Sequence, residues 1–123
     1  MTDILVIDDD STIREVVKDQ LENENYSVET AIDGLQALSI LASPKFSCRL
    51  VITDIVMPEK EGLETIRDLK KDHPEVKILA MTGKNFADGY NYLFAAKTLG
   101  ADDSLGKPFE RADLLEKVNR LLA

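Results

Sequence analysis

One short stretch of the sequence, residues 50–62, constrains the fold more than any other. It begins with three consecutive apolar residues, Leu50 to Ile52, which are typical of a strand buried on both faces of a parallel sheet. Asp54 follows where this run ends, and Pro58, which has no amide hydrogen, favours a loop before the next helical pattern. The stretch therefore predicts a carboxylate at the rim of a sheet. An Asp that only caps or turns the chain would give the same pattern.

The rest of the sequence alternates between strand and helix patterns in the same way. Strands are predicted at residues 4–7, 26–31, 50–52, 76–81 and 101–105. Helical spacing follows each strand, in segments that include residues 13–21, 35–41, 60–71, 86–99 and 114–122. We expect the buried stripes of the first two helices to be Ile13, Val16, Val17 and Leu21, and Leu35, Leu38, Ile40 and Leu41.

The apolar character of the strands predicts their order in the sheet. Strands one, three and four are apolar and suit its centre. Strand two alternates between apolar and polar residues and strand five has poor strand propensity, and both features are tolerated at the edge of a sheet. We therefore predict an α/β, doubly wound parallel sheet with strand order 2-1-3-4-5 and helices on both faces. Ligands bind such folds at the carboxyl ends of the strands. The polar residues at those ends are Asp8, Asp9, Asp54, Thr82 and Lys107.

These side chains suit a site for a cation and a phosphoryl group. Carboxylates that meet at one rim repel each other, and a divalent cation between them removes the repulsion. Oxygen ligands without His or Cys favour Mg²⁺ or Mn²⁺, and the Lys107 ammonium adds positive charge for an anion. Taken singly, Asp8 and Asp9 could cap a helix, and Lys107 could be a solvated surface charge.

Length and charge restrict the function further. The 123 residues suit one domain, which we place at residues 1–123. A net charge of −8, without a run of Lys and Arg, disfavours direct binding to nucleic acid. No apolar run suits a membrane span and the acidic N-terminus does not resemble a secretory signal, so we expect a cytoplasmic location.

The sequence resembles the receiver domain of two-component response regulators. The motifs that carry the likeness are Ile4-Leu5-Val6-Ile7-Asp8-Asp9-Asp10, Asp54, Met57-Pro58 with Gly62, Thr82, and Lys107-Pro108-Phe109. They stand in the family's order and cover essentially the whole chain. The resemblance implies a flavodoxin-like (βα)5 fold, the group of folds in which the strand order 2-1-3-4-5 is known.

The resemblance also assigns roles to the rim residues. Asp54 would accept a phosphoryl group, and Thr82 and Lys107 would bind its oxygens. The ligands of Mg²⁺, or of Mn²⁺, would be Asp8, Asp9, Asp54 and the backbone carbonyl of Val56. The family further implies a cis peptide bond between Lys107 and Pro108.

The family implies partners as well. A sensor histidine kinase or a phosphotransfer protein would donate the phosphoryl group from a phosphohistidine, and water would later hydrolyse the acyl phosphate. The domain would assist only its own phosphorylation and dephosphorylation, and so would not be an enzyme. Its signal would pass to a downstream protein through the surface of the fourth helix, fifth strand and fifth helix, with homodimerisation on activation as an option.

One position departs from the family pattern. Ser104 stands where the family usually has Tyr or Phe, and serine cannot fill an aromatic volume. Our hypothesis is that a remodelled output surface or a nearby aromatic residue compensates; the candidates are Phe86, Tyr90, Tyr92 and Phe94.

Two alternative functions share some of these features. A pseudo-receiver would have the same fold but never take a phosphoryl group, although the motif residues are intact here. A small phosphatase with an aspartate nucleophile would need a second acid two residues after it, where this sequence has Val56.

Overall fold

The first strand of the structure, β1 (Ile4–Ile7), is buried along its whole length. Leu5 and Ile7 belong to one apolar cluster, whereas Ile4 and Val6 belong to another. This division follows from the strand geometry, in which successive side chains point to opposite faces of a sheet. A strand covered on both faces lies inside the sheet, as the uninterrupted apolar run predicts.

The structure is a computed structural model, and it describes residues 2–55, 62–83 and 94–123. The elements after β1 are α1 (Ser11–Glu22), β2 (Val28–Ala31), α2 (Gly34–Ala42), β3 (Leu50–Asp54), α3 (Gly62–Asp72), β4 (Lys77–Thr82), α4 (94–99), β5 (Asp103–Gly106) and α5 (Arg111–Leu122).

The five strands form one parallel sheet in the order β2-β1-β3-β4-β5. This confirms the predicted doubly wound α/β fold. Ile7 lies opposite Thr53 in the sheet, and Thr82 lies opposite Gly106. Because the strands are parallel, their carboxyl ends share one edge, which brings the residues after β1, β3, β4 and β5 together.

Helices cover the two faces of the sheet with separate cores. Buried residues from α2, α3 and α4 join the cluster on one face; they are Ala37, Leu41, Ile66, Leu69 and Ala96. Buried residues from α1 and α5 join the cluster on the other face; they are Val17, Leu21, Leu114 and Val118. Burial of apolar side chains at about 25 cal/mol per Å² is the main force that holds such layers together.

Local signals in the sequence set the ends of several helices. Asp10 is the N-cap of α1 and accepts a hydrogen bond from the Thr12 amide at 2.9 Å. Asp33 caps α2 in the same way, with the Gln36 amide at 2.8 Å. Gly100, with φ of 120°, follows α4 in a conformation that favours glycine.

Two predicted core residues are exposed instead. Val16 of α1 is 39 % exposed and Leu35 of α2 is 56 % exposed. The buried residues of α2 are Gly34, Ala37 and Leu41. Since α2 has apolar residues on several sides and no charged residue, its periodicity did not identify the face that meets the sheet.

Four predicted strands differ from the observed ones by one or two residues at their ends. β2 begins at Val28, two residues later than predicted, and β3 continues to Asp54. β4 runs from Lys77 to Thr82, so Thr82 ends the strand instead of following it. β5 begins at Asp103, two residues later than predicted. Of the predicted fourth helix, residues 86–93 lie outside the described residues, and 94–99 are helical. Within the described ranges, no helix combines the length and the apolar character that a membrane crossing requires.

Candidate functional site

Three carboxylates from two strand ends meet at the carboxyl edge of the sheet. Asp8 and Asp9 follow β1, and Asp54 is the last residue of the neighbouring strand β3. Each of them offers a carboxylate oxygen, and these oxygens all lie within 4.8 Å of one another. Asp8 and Asp54 are buried, whereas Asp9 is exposed. The cluster is therefore anchored in the fold and open to solvent on one side.

Lys107 supplies positive charge to the same cluster. Its ammonium nitrogen lies 2.7 Å from Oδ2 of Asp8 and 3.5 Å from Oδ2 of Asp54. The backbone amide of Lys107 donates to the carbonyl oxygen of Thr82 at 2.8 Å, so the ends of β4 and β5 are also joined. The Lys107–Pro108 peptide bond is cis, as the family resemblance implies.

Thr82 and Gly83 lie beside Lys107 at the end of β4. Thr82 is buried and pairs with Gly106 across the sheet. A Cβ atom on Gly83 would stand 3.3 Å from Cβ of Lys107, which is a tight contact. Glycine at this position therefore leaves room for the lysine stem as it extends towards the carboxylates.

The backbone around Asp54 is packed closely. A Cβ atom on Gly62 would stand less than 3.0 Å from the Asp54 carbonyl oxygen and from the Ile55 backbone. The Gly62 amide donates to the carbonyl oxygen of Ile55 at 2.6 Å. The buried hydroxyl of Thr53 donates to the Asp54 carbonyl oxygen at 2.9 Å. These contacts fix the strand end from which the Asp54 carboxylate projects.

Burial and neighbouring charges shift the pKa values of Asp54 and Lys107. Burial raises the pKa of Asp54 from 3.8 to about 6, although the Lys107 ammonium opposes this shift and the Asp8 carboxylate adds to it. Burial lowers the pKa of Lys107, but the hydrogen bond to Asp8 and the charge of Asp54 raise it overall. Lys107 is therefore protonated at neutral pH and partly offsets the negative charge of the acids.

The three carboxylates fit a divalent cation. Their ligands are all oxygen, which suits Mg²⁺ or Mn²⁺. Mg²⁺ binds oxygen at about 2.1 Å, so the oxygen ligands of one ion lie within about 4.2 Å of one another. The carboxylate oxygens of the cluster would need to move only slightly closer together to bind one ion. Among the predicted site residues, Val56 lies outside the described residues, as do Met57 and Pro58.

Two hydrogen bonds from side chains to the backbone carbonyls of Asp8 and Asp54 involve residues that the sequence analysis did not single out. One is the Thr53 hydroxyl bond described above, and the other joins Arg14 of α1 to the backbone carbonyl oxygen of Asp8 at 2.8 Å. Neither residue belongs to a motif that the sequence analysis recognised. An arginine in the first turn of a helix was a signal that could have been noticed, because the helix dipole disfavours a cation there.

The family model for the response regulator receiver domain matches residues 4–119. The chain belongs to this family. As a receiver domain it is a component of two-component signalling, which confirms the resemblance found in the sequence.

Known relatives and solved structures agree with this family. The response regulator MprA of Mycolicibacterium vanbaalenii is 39 % identical over 119 residues, which are 97 % of this chain and 49 % of MprA. The receiver domain of NtrX from Brucella abortus has 32 % identity and a TM-score of 0.88, with 98 % of each chain covered. The chemotaxis response regulator CheY4 of Vibrio cholerae has 30 % identity and a TM-score of 0.83, again with 98 % of each chain covered. This receiver domain thus spans about half the length of the curated relatives it matches.

Proposed function

We propose that this receiver domain takes a phosphoryl group on Asp54 and passes a signal by protein–protein contact. The observation that carries the proposal is the convergence of three carboxylates within 4.8 Å, with the Lys107 ammonium in contact with two of them. The Asp54 carboxylate lies near both of the other acids and 3.5 Å from the Lys107 ammonium. An acidic nucleophile needs such surroundings, because both it and the incoming phosphoryl group are negative.

The transfer is an in-line displacement at phosphorus. A carboxylate oxygen of Asp54 forms a bond to phosphorus as the bond from phosphorus to the histidine nitrogen of the donor breaks. The electron pair of that bond stays on the imidazole, and an acyl phosphate forms on Asp54. Lys107 and Thr82 stand at neighbouring strand ends and bind the phosphoryl oxygens. Hydrolysis later cleaves the bond between Asp54 and phosphorus, releases phosphate and restores the carboxylate.

The metal ligands in this proposal are Asp8, Asp9 and Asp54, together with the Val56 carbonyl that the family implies. Bound Mg²⁺, or Mn²⁺, would offset charge on the phosphoryl oxygens during transfer. Because Asp8 is buried and already fixed by hydrogen bonds, it presents one ligand in a defined place. Asp9 is exposed and leaves the cluster accessible to the cation and to the donor.

The proposed partners follow from the family. A sensor histidine kinase or a phosphotransfer protein donates the phosphoryl group, and a downstream protein recognises the phosphorylated domain. The domain assists only its own reactions and is not an enzyme that turns over other substrates. Direct binding to nucleic acid is not part of this function, since the net charge is −8. A cytoplasmic location and a homodimer on activation stay predictions.

The proposed output surface comprises α4, β5 and α5. A groove on this surface is lined by residues that include Phe94, Lys97 and Ser104. Phe94 is 70 % exposed, so this described aromatic residue does not fill the space beside Ser104. The other candidate aromatics, Phe86, Tyr90 and Tyr92, lie outside the described residues. We propose that phosphorylation changes the packing of this groove, through Thr82 at the adjoining strand end.

Intact-mass spectrometry tests the proposal. Purified protein is incubated with acetyl phosphate and Mg²⁺, and we expect its mass to increase by one phosphoryl group. Asp54→Asn should show no increase, and EDTA should abolish the increase in the wild type. A control receiver domain labelled in parallel establishes that the donor is active. An unchanged wild-type mass beside a labelled control would contradict the proposal and favour a pseudo-receiver.

A further inference from the structure

Arg14 reaches from α1 back to the acid cluster. Its Nη1 donates a hydrogen bond of 2.8 Å to the backbone carbonyl oxygen of Asp8. The two residues are six positions apart, so the contact crosses the turn that carries Asp9 and Asp10. It therefore ties Asp8, at the end of β1, to the first turn of α1, across the turn that supplies Asp9 to the cluster.

The position of Arg14 in its helix is unfavourable by itself. It is the fourth residue of α1, within a first turn that contains no acidic residue. The amino end of a helix carries partial positive charge, which disfavours a cation there. Helix stability therefore does not explain an arginine at this point, whereas a hydrogen bond from a guanidinium to a carbonyl oxygen offsets the unfavourable position.

Arg14 completes a set of contacts that holds Asp8 at each of its polar groups. The Asp8 amide donates to the carbonyl oxygen of Ala31 at 3.2 Å, and its carbonyl oxygen accepts from Arg14. Its Oδ1 accepts from the Asp10 amide at 2.9 Å, and its Oδ2 accepts from Lys107 at 2.7 Å. A side chain with no exposed surface, held in this way, keeps one orientation.

We propose that Arg14 is a positioning residue for the cation site, which it organises by fixing the backbone of Asp8. The inference rests on the proposed binding of a divalent cation by the three carboxylates. Residues behind a metal ligand commonly change metal affinity by about 10-fold or more when they are replaced. The guanidinium also carries a positive charge near the site, and that charge alone would weaken cation binding. Positioning and charge thus predict opposite effects of removing Arg14.

The experiment measures Mg²⁺ affinity by isothermal titration calorimetry on metal-free protein. We expect Arg14→Met to bind Mg²⁺ about 10-fold more weakly than the wild type. Arg14→Lys keeps the charge and one donor, and should restore part of the loss, to about 3-fold weaker than the wild type. Lys18→Met removes a positive charge one turn further along the same helix, and should bind like the wild type or slightly more tightly.

Several results would overturn the inference. Equal or tighter binding by Arg14→Met would show that the contact does not position the site, and equal weakening by Lys18→Met would indicate a general helix effect. If Arg14→Met does not fold, as judged by thermal unfolding, Arg14→Lys decides, and wild-type affinity in that variant contradicts the inference. Failure of the wild type to bind Mg²⁺ would instead contradict the proposed function.

Discussion

The Lys107 ammonium lies 2.7 Å from Oδ2 of Asp8, a carboxylate whose side chain has no exposed surface. The lysine thus acts as a counter-ion built into the fold. Its partner belongs to the segment after the first strand, whereas the lysine itself follows the last strand. The pair connects the stability of the fold with the charge of the site, and this connection can be tested.

Lys107→Met should make the stability of the fold more dependent on a divalent cation. Without the ammonium the carboxylates repel each other, and we expect a loss of about 2 kcal/mol in the free energy of unfolding in EDTA. A cation relieves that repulsion, so Mg²⁺ should raise the melting temperature of this variant more than that of the wild type. Thermal unfolding with EDTA and with Mg²⁺ measures both effects. Lys45→Met, at an exposed position, is the charge-matched control; an Mg²⁺ effect in Lys107→Met no larger than in the wild type contradicts the prediction.

Asp54→Asn should stabilise the metal-free protein at high pH. The pKa of Asp54 is raised to about 6, so the folded state binds its proton more tightly than the unfolded state does. This contribution to stability is present below the unfolded pKa of 3.8 and is lost as the pH rises through 6. A neutral Asn avoids this loss, so we expect Asp54→Asn to raise the free energy of unfolding by about 1–3 kcal/mol at pH 8.

Urea unfolding in EDTA at pH 8 and near pH 4 measures this difference. We expect the gain from Asp54→Asn at pH 8 to shrink as the pH falls. Asp19→Asn, on the exposed side of α1, should change the free energy of unfolding by no more than about 0.5 kcal/mol. An Asp54→Asn variant no more stable than the wild type at pH 8 would show that burial does not raise the pKa of this carboxylate.

Gly62→Ala should damage the site through the backbone. The added Cβ would lie less than 3.0 Å from the Asp54 carbonyl oxygen, a backbone atom that cannot turn aside. We expect a loss of about 1–3 kcal/mol in the free energy of unfolding and slower phosphorylation by acetyl phosphate. Gly106→Ala is the matched control, because a Cβ at that position meets no atom within 4 Å. Equal effects of the two substitutions would contradict the steric explanation.

The groove beside Ser104 should respond to activation. Beryllofluoride with Mg²⁺ imitates a phosphoryl group on an aspartate, and we expect it to shift the amide resonances of residues 94–99 and of Ser104. Nuclear magnetic resonance of ¹⁵N-labelled protein measures these shifts, and Asp54→Asn should abolish them. If the resonances of α4 and β5 stay in place while those near Asp54 move, the output surface lies elsewhere.

The order of the strands was accessible from the sequence because burial dictates composition. β1 and β3 are covered on both faces and are therefore apolar without interruption, whereas β2 has the burial pattern of an edge strand. β5 contains Asp103 and Ser104, which are poor strand formers, and only its place after a helix identified it. The exposure of Leu35 was not accessible, since it depends on how α2 docks onto the sheet.

The site was predictable in part for a related reason. Parallel strands bring their carboxyl ends together, so Asp8, Asp54 and Lys107 had to share one edge once the strand order was known. The Lys107 ammonium is closer to Asp8 than to Asp54 by less than an ångström, and a sequence pattern does not specify so small a difference in distance. The contact between Arg14 and Asp8 depends on the path of the turn between β1 and α1.

The ion pair between Lys107 and Asp8 joins residues 99 positions apart in the chain. The first strand is made early in synthesis, but Asp8, which follows it, gains Lys107 as a partner only after β5 has left the ribosome and docked at the edge of the sheet. A nascent chain that lacks β5 therefore has the acid cluster without the lysine. On the proposed function, we expect the ability to accept a phosphoryl group to arise only once β5 is in place.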